Sequence, residues 1–392
     1  VKKVAVLGGG PAGAQAAACL AQAGMRTVLL DEKLAWEKPC GGGITYKAYS
    51  QYPFLRHNSV NKKEVHQTIL AAPKAGRAPM ELDQPLLIYS RFDLNNLLLE
   101  RAVQAGVEVE KTRVLEMARR DSGWTVRTRH GSFDADFCVV ATGARNPLRN
   151  AGTCWQASDT MYALGYYVAS NQAHIDIQFL KDLEGYIWVF PRCGHLSVGI
   201  CGKGEPAQAL RARLEAYMDE QGIAWRGSQF YAHMLPALES ASWRGNRVAG
   251  DGWLAVGDAG GLVDPITGEG LYYAIRSGDL ASQVILNDTH APAAKPAAYR
   301  SLVDVDFMRD LYLGSLIARR VFTGKFLFDS IPARMVQFIR RSPRFRALMQ
   351  DLFAGTQNYE TLRHRLFRNL NGTLQEVLFS ALFRSLLVEP AK

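Results

Sequence analysis

Gly8-Gly9-Gly10-Pro11-Ala12-Gly13 fits the spacing G-x-G-x-x-G, and its flanks constrain the fold more than any other feature of the sequence. The run Val1–Leu7 reads as a strand leading into it and leaves no room for a signal peptide. Alanine-rich Ala14–Ala23 reads as a helix, and a second strand, Thr27-Val28-Leu29-Leu30, ends in Asp31 and Glu32. This is a βαβ unit with an acid about 20 residues past the glycines. Glycines let a backbone approach a pyrophosphate, and the helix start offers it free N–H groups and a positive dipole end. Gly8, Gly10, Pro11, Ala12 and Gly13 are the pyrophosphate candidates. Asp31 is the candidate for an adenosine ribose, with Glu32 as fallback. An ordinary glycine-rich βα turn has no use for an acid at that distance. The unit by itself does not separate NAD from FAD.

Two later segments bear on that choice. Asp136–Val140 is an apolar strand running into Ala141-Thr142-Gly143, similar to the A-T-G segment of flavoproteins with two dinucleotide folds. Trp253–Val256 is a strand that delivers Asp258 into a glycine-rich loop, followed by Asp264-Pro265-Ile266-Thr267-Gly268-Glu269-Gly270 and a helix starting near Leu271. A buried strand ending in a Gly turn explains the first segment alone, and a second βα turn with a capping aspartate the second. Two such turns about 250 residues apart, at Gly8 and at Asp258, each carrying the right acid, are not explained by coincidence.

Three further segments resemble the geranylgeranyl reductase family, within the p-hydroxybenzoate-hydroxylase-like flavoproteins. They are Lys38-Pro39-Cys40-Gly41-Gly42-Gly43, Tyr186-Ile187-Trp188-Val189-Phe190-Pro191 with Ser197-Val198-Gly199 behind it, and the Asp264–Gly270 segment. The resemblance covers roughly residues 1–290 and extends to Phe353–Tyr359, which it suggests is helical. It implies an α/β protein: a Rossmann-like FAD-binding domain of the glutathione-reductase type, a β-sheet substrate domain and a C-terminal helical region. It implies FAD, with Asp258 at the ribityl chain and the helix after Gly270 aimed at the flavin pyrimidine ring. Further FAD contacts are implied for Gly41, Arg91, Val114, Thr142, Gly143, Gly268, Gly270 and Leu271. Arg91 also reads as a plain surface charge at a helix start. Cys40 is the implied catalytic residue, although a small residue before three glycines is also a packing choice. Tyr186, Trp188 and Phe190 alternate and so share one sheet face. With Pro191 they read as a substrate-binding wall or as core.

The 392 residues exceed one hydrophobic core. The FAD-binding domain is expected from residues 1–50, 85–150 and 245–295. The substrate sheet is expected from 51–84 and 151–244, with strands at Met161–Val168, Ile175–Leu180, Tyr186–Phe190 and Leu196–Cys201. Residues 296–392 are the helical region, with helices over Leu311–Phe328 and Met335–Phe353. The six cysteines show no C-x-x-C and the eight histidines no metal spacing, so no metal is expected. Cys193 and Cys201 could face each other across a hairpin, though a disulfide does not suit a cytosolic enzyme. Net charge is +9, and residues 301–392 hold 14 Lys/Arg against 8 Asp/Glu. That charge fits an anionic partner. With no nucleic-acid module in view, the reading is a cytoplasmic enzyme with peripheral contact at an inner membrane face. The arginines Arg319, Arg320, Arg340, Arg341, Arg344 and Arg346 would carry that contact; solvated arginines on helices that roof the substrate domain are the alternative.

The expected activity is reduction of polyprenyl double bonds by hydride from reduced flavin. The expected electron donor is NADPH, NADH or ferredoxin, which leaves room for an electron-donor protein. A monooxygenase or halogenase on the same scaffold is the alternative. Halogenases of this kind carry W-x-W-x-I-P, from which Tyr-Ile-Trp-Val-Phe-Pro departs.

Overall fold

The computed structural model describes residues 2–148, 150–362, 364–366, 368 and 372. β1 (Lys3–Leu7), α1 (Pro11–Gln22) and β2 (Arg26–Asp31) form the βαβ unit, with β1 and β2 parallel from Lys3↔Arg26 to Leu7↔Leu30. Val4 to Leu7 are all buried, as a parallel strand covered on both faces requires. The helix expected from Ala14 starts earlier, at Pro11, since the first helical position needs no N–H.

β3 (Gly43–Ile44) and α2 (Tyr46–Gln51) precede a long hairpin, β4 (Lys62–Ala72) and β5 (Gly76–Tyr89). α3 (Arg91–Gln104) opens on Ser90, whose hydroxyl accepts the Asp93 N–H. β6 (Glu108–Lys111), a meander of β7 (Val114–Arg119), β8 (Trp124–Thr128) and β9 (Gly131–Ala135), and β10 (Phe137–Val140) follow. The next stretch holds β11 (Thr160–Val168), β12 (Ile175–Phe179), β13 (Glu184–Pro191), β14 (Leu196–Lys203), α4 (Ala207–Glu220) and β15 (Gln229–Pro236). α5 (Ser240–Arg244), β16 (Ala249–Gly250), β17 (Trp253–Ala255), α6 (Leu271–Leu286) and α7 (Lys295–Val303) return to the first layer. The chain goes on through α8 (Arg309–Thr323), the short pair β18 (Lys325–Phe326) and β19 (Asp329–Ser330), α9 (Ile331–Arg341) and α10 (Pro343–Ala354).

One sheet of six strands has the order β16-β17-β10-β1-β2-β6, so the strands before Gly8, Ala141 and Val256 lie side by side. α6 crosses α1 closely: a side chain at Gly278 would overlap the Ala12 carbonyl. The second sheet has the order β15-β11-β14-β13-β12-β4-β5-β3. All its pairs are antiparallel except β12 with β4. This sheet takes in β3 and the whole of β5, so residues 43–44 and 85–89 pair with it although they fall within the segments expected for the FAD-binding domain. β5, a strand of 14 residues, runs across the boundary expected at residue 85.

The C-terminal region departs from expectation in three places. The helix expected over Leu311–Phe328 ends at Thr323, and the hairpin β18–β19 follows. Met335–Phe353 is two helices broken at Ser342, because Pro343 cannot continue the hydrogen-bond ladder and Ser342 instead accepts the Phe345 N–H at 3.1 Å. Phe353–Tyr359 is a break between two helical stretches: Gly355 takes a left-handed φ of 76° and stops α10, and helix resumes at Tyr359. Cys193 and Cys201 are free and lie at opposite ends of their hairpin, Cys201 opposite Tyr186 and Cys193 in the exposed turn. No helix among the described residues is long and apolar enough to cross a membrane.

Candidate active site

A cavity of about 1250 Å³ runs between the two sheets and under α8–α10, larger than an ordinary small-molecule pocket. At one end stands the glycine loop. Side chains at Gly8 and Gly13 would overlap the carbonyls of Ala141 and Gly8, so these two glycines permit the tight turn and its packing. A side chain at Gly10 would meet nothing within 4 Å and would project into free space, where a ligand approaches. Gly10, Pro11 and Ala12 line the cavity, and the first turn of α1 holds no acid to offset its dipole. Arg91 lines the same cavity and is 3% exposed. Its Nη2 donates to Asn95 Oδ1 at 3.3 Å, while its Nε is buried without a partner. An uncompensated helix start and an orphaned guanidinium N–H on the wall of one cavity suit an anionic group such as a pyrophosphate.

Asp31 sits behind the loop rather than in the cavity wall. Its Oδ2 accepts the Gly9 N–H at 2.7 Å and its Oδ1 those of Lys33 and Leu34 at 2.7 and 2.6 Å. Glu32 points outward, 3.9 Å from Arg113. Val114 opens the meander and is buried in its core. Thr142 is tied to Asn146 at 2.7 Å, and Gly143 lines the cavity.

Further along the cavity lies Asp258, which accepts from Lys38 Nζ at 2.8 Å. Burial pushes its carboxyl up, but the Lys38 charge and hydrogen bond outweigh burial and hold it below the carboxylate range. His233 is beside the pair. Burial, then the Lys38 charge, lower its pKa, and its Nε2 has no partner. Gly268, Gly270 and Leu271 bring the start of α6 to the same wall. Glu269 caps that helix, accepting the Tyr272 N–H at 2.8 Å. Burial pushes the Glu269 carboxyl up to about 7. Burial also raises Asp264 and Asp310 and lowers Lys47, whose Nζ lies 4.3 Å from the Tyr272 ring centre. Tyr359 donates to both oxygens of Asp264 at 2.9 Å and so folds the end of the helical region back onto this floor.

Tyr186, Trp188 and Phe190 all face the cavity, as their alternation requires, while Pro191 is buried outside its lining. The Phe190 ring packs so closely on the Cys40 loop that a side chain at Gly41 or Gly43 would come to 3.1 Å. Tyr186 donates its hydroxyl to the Thr267 carbonyl, tying the aromatic strand to the loop before α6. Cys40 is half-buried at the cavity wall, and the Gly42 N–H donates to its Sγ at 3.3 Å.

Sequence reasoning missed what holds Cys40 in place. Arg192, 1% exposed, donates to the Cys40 carbonyl and to Glu37 Oε1. Ser197 donates to the same carbonyl at 3.2 Å. Glu37 accepts from Ser90 Oγ at 2.6 Å and from the N–H groups of Arg91 and Phe92 at 3.0 and 3.2 Å. One carboxylate thus joins the Cys40 loop, the start of α3 and the end of β13. The signal was a charge directly after an apolar strand, Phe190-Pro191-Arg192.

Residues 2–147 match the family described as pyridine nucleotide-disulphide oxidoreductase, and residues 90–279 that described as FAD dependent oxidoreductase. The chloroplastic geranylgeranyl diphosphate reductase of Oryza sativa subsp. japonica is 32% identical over 326 residues, 72% of this chain and 66% of its own length. The aligned part thus spans just under two thirds of that relative. Digeranylgeranylglycerophospholipid reductase 2 of Methanopyrus kandleri is 28% identical (72% and 76%), and the menaquinone reductase of Mycolicibacterium smegmatis 27% (85% and 87%). Among solved structures, a geranylgeranyl bacteriochlorophyll reductase-like protein of Thermoplasma acidophilum superposes with a TM-score of 0.76 at 22% identity, covering 93% of this chain and 98% of that one. A halogenase and a probable FAD-dependent monooxygenase share the fold at lower scores. With its paired dinucleotide-type turns and these matches, the chain is an FAD-dependent oxidoreductase similar to the geranylgeranyl reductases.

Proposed function

We propose that the chain reduces carbon–carbon double bonds of a polyprenyl substrate. The observation that carries this reading is the continuity of one aromatic-walled cavity from the glycine loop and Asp258 to the apolar underside of α8–α10. Gly8, Gly10, Pro11, Ala12, Gly13 and Arg91 would hold the FAD pyrophosphate, and Asp31, or Glu32, the adenosine ribose. Asp258 would hold the ribityl chain, with Gly41, Gly143, Gly268, Gly270 and Leu271 of the cavity wall around the rest. FAD, once reduced, supplies a hydride to one alkene carbon. Tyr186, Trp188 and Phe190 hold the chain and exclude water, and the other alkene carbon needs a proton. Two side chains of the cavity wall can hold it, the Cys40 thiol and the Glu269 carboxyl, the latter about half protonated near neutral pH. The external donor is NADPH, NADH or ferredoxin, and basic faces of the C-terminal helices bring the chain to lipid. Of the arginines in those helices, Arg319, Arg320 and Arg340 are exposed, whereas Arg346 is spent on the Ile339 carbonyl.

The test is anaerobic reduction of the purified flavoprotein, then separate addition of geranylgeranyl diphosphate and of O₂ with an aromatic acceptor. Reoxidation by the prenyl chain with loss of a double bond supports the reading. Reoxidation by O₂ alone with a hydroxylated or halogenated product overturns it for the monooxygenase class.

A further inference from the structure

Between α8 and α9 the hairpin Lys325–Ser330 is closed by Leu327 and Phe328, both at left-handed φ, 48° and 65°. Consecutive left-handed residues match the twist of a two-residue hairpin, and Asn-Gly is the usual choice there. Bulky apolar residues in that conformation are strained. They are also misplaced for the hydrophobic effect. Phe326, Leu327 and Phe328 are 39%, 44% and 105% exposed. Yet the turn is held firmly: Arg334 of α9 donates Nε to the Phe326 carbonyl at 3.2 Å and Nη2 to the Leu327 carbonyl. A strained Phe-Leu-Phe tip is thus presented on a braced scaffold, with the Phe328 ring fully exposed and the Phe326 ring partly covered by Phe338.

The tip stands at the mouth of the large cavity. Arg320, Lys325, Phe326 and Arg334 all contribute to its lining, and Leu316 beside them on α8 is 52% exposed. Arg320 and Lys325 are exposed cations. Apolar rings that project past a collar of cations match the layering of a lipid surface, with acyl chains below and anionic phosphates above. We propose that the Phe326–Phe328 hairpin docks the cavity mouth onto an anionic bilayer. The inference builds on the polyprenyl reading, since the same lipid would be the store from which the substrate enters.

The test is flotation of the full chain with vesicles of phosphatidylcholine alone and of phosphatidylcholine mixed with phosphatidylglycerol, at low and high salt. The parent floats with the anionic vesicles, less so at high salt. Phe328→Asp floats about tenfold less or worse, the cost of withdrawing one buried ring. It keeps its flavin and its turnover of detergent-dispersed substrate, because Phe328 touches neither. Phe328→Trp adds emission that brominated lipid quenches. Three results overturn the proposal: Phe328→Asp floating like the parent, no added quenching in Phe328→Trp, or a parent dimer that Phe328→Asp dissociates with flotation unchanged. A parent that floats and is quenched but reduces no prenyl chain would refute the proposed function and leave the docking element standing.

Discussion

At the residue scale the site rests on charges placed where burial makes them costly unless partnered. Asp258 and Lys38 satisfy each other at 2.8 Å. Asp258→Ala leaves a lysine without its carboxylate and removes the proposed ribityl partner. We expect flavin affinity to fall about ten- to hundredfold with an unchanged circular dichroism spectrum. Flavin retained at parental affinity would reduce Asp258 to a loop cap. Glu269 carries the pH prediction. Its carboxyl is pushed up to about 7, so the native state binds a proton that an ordinary unfolded carboxyl gives up lower on the pH scale. Its contribution to stability is therefore present at low pH and lost as pH rises toward and through 7. If Glu269 holds the reacting proton, turnover declines above about pH 7, and Glu269→Gln removes that limb together with about 10² or more of the rate. Cys40→Ser keeps the limb. The opposite pattern in the two pH profiles assigns the proton to Cys40.

At the element scale the cavity depends on how closely elements approach. α6 and α1 touch at Gly278 and Ala12, with no room for a methyl group between them. Gly278→Ala should push the middle of α6 away from the first turns of α1 and cost about 1–3 kcal/mol, read as a lower unfolding midpoint and looser flavin. A midpoint equal to the parent's would mean the helices yield without cost. On β13, Trp188 is 6% exposed and faces the cavity, so it serves core and wall together. Trp188→Leu should raise KM for long prenyl chains more than for short ones. Equal effects at both lengths would assign it to the core alone. Strand and helix periods made β13 and α6 legible in advance, since alternation and a glycine-bounded start are local properties. The break at Pro343 was equally local, yet the Leu- and Arg-rich helical pattern around it masked it. The hairpin at Lys325 had Leu327 and Phe328, and no turn residue, at the two loop positions that close it.

At the scale of the whole molecule, docking through Phe328 predicts that turnover of vesicle-borne substrate falls in Phe328→Asp while turnover of dispersed substrate does not. Equal loss in both assays would place Phe328 in the catalytic path. The sequence by itself determined the βαβ unit, both aspartate-bearing glycine turns and the aromatic alternation. Each is written within about 30 consecutive residues by steric and periodic rules. Tertiary structure alone decided the rest. Arg192 reaches the Cys40 carbonyl across 152 positions of chain, and Tyr359 reaches Asp264 across 95. It also decided that Asp31 is engaged by backbone N–H groups and that burial raises the Glu269 carboxyl. Pairing between distant segments and the dielectric around a charge are set by what the folded chain brings near. No local pattern encodes either one.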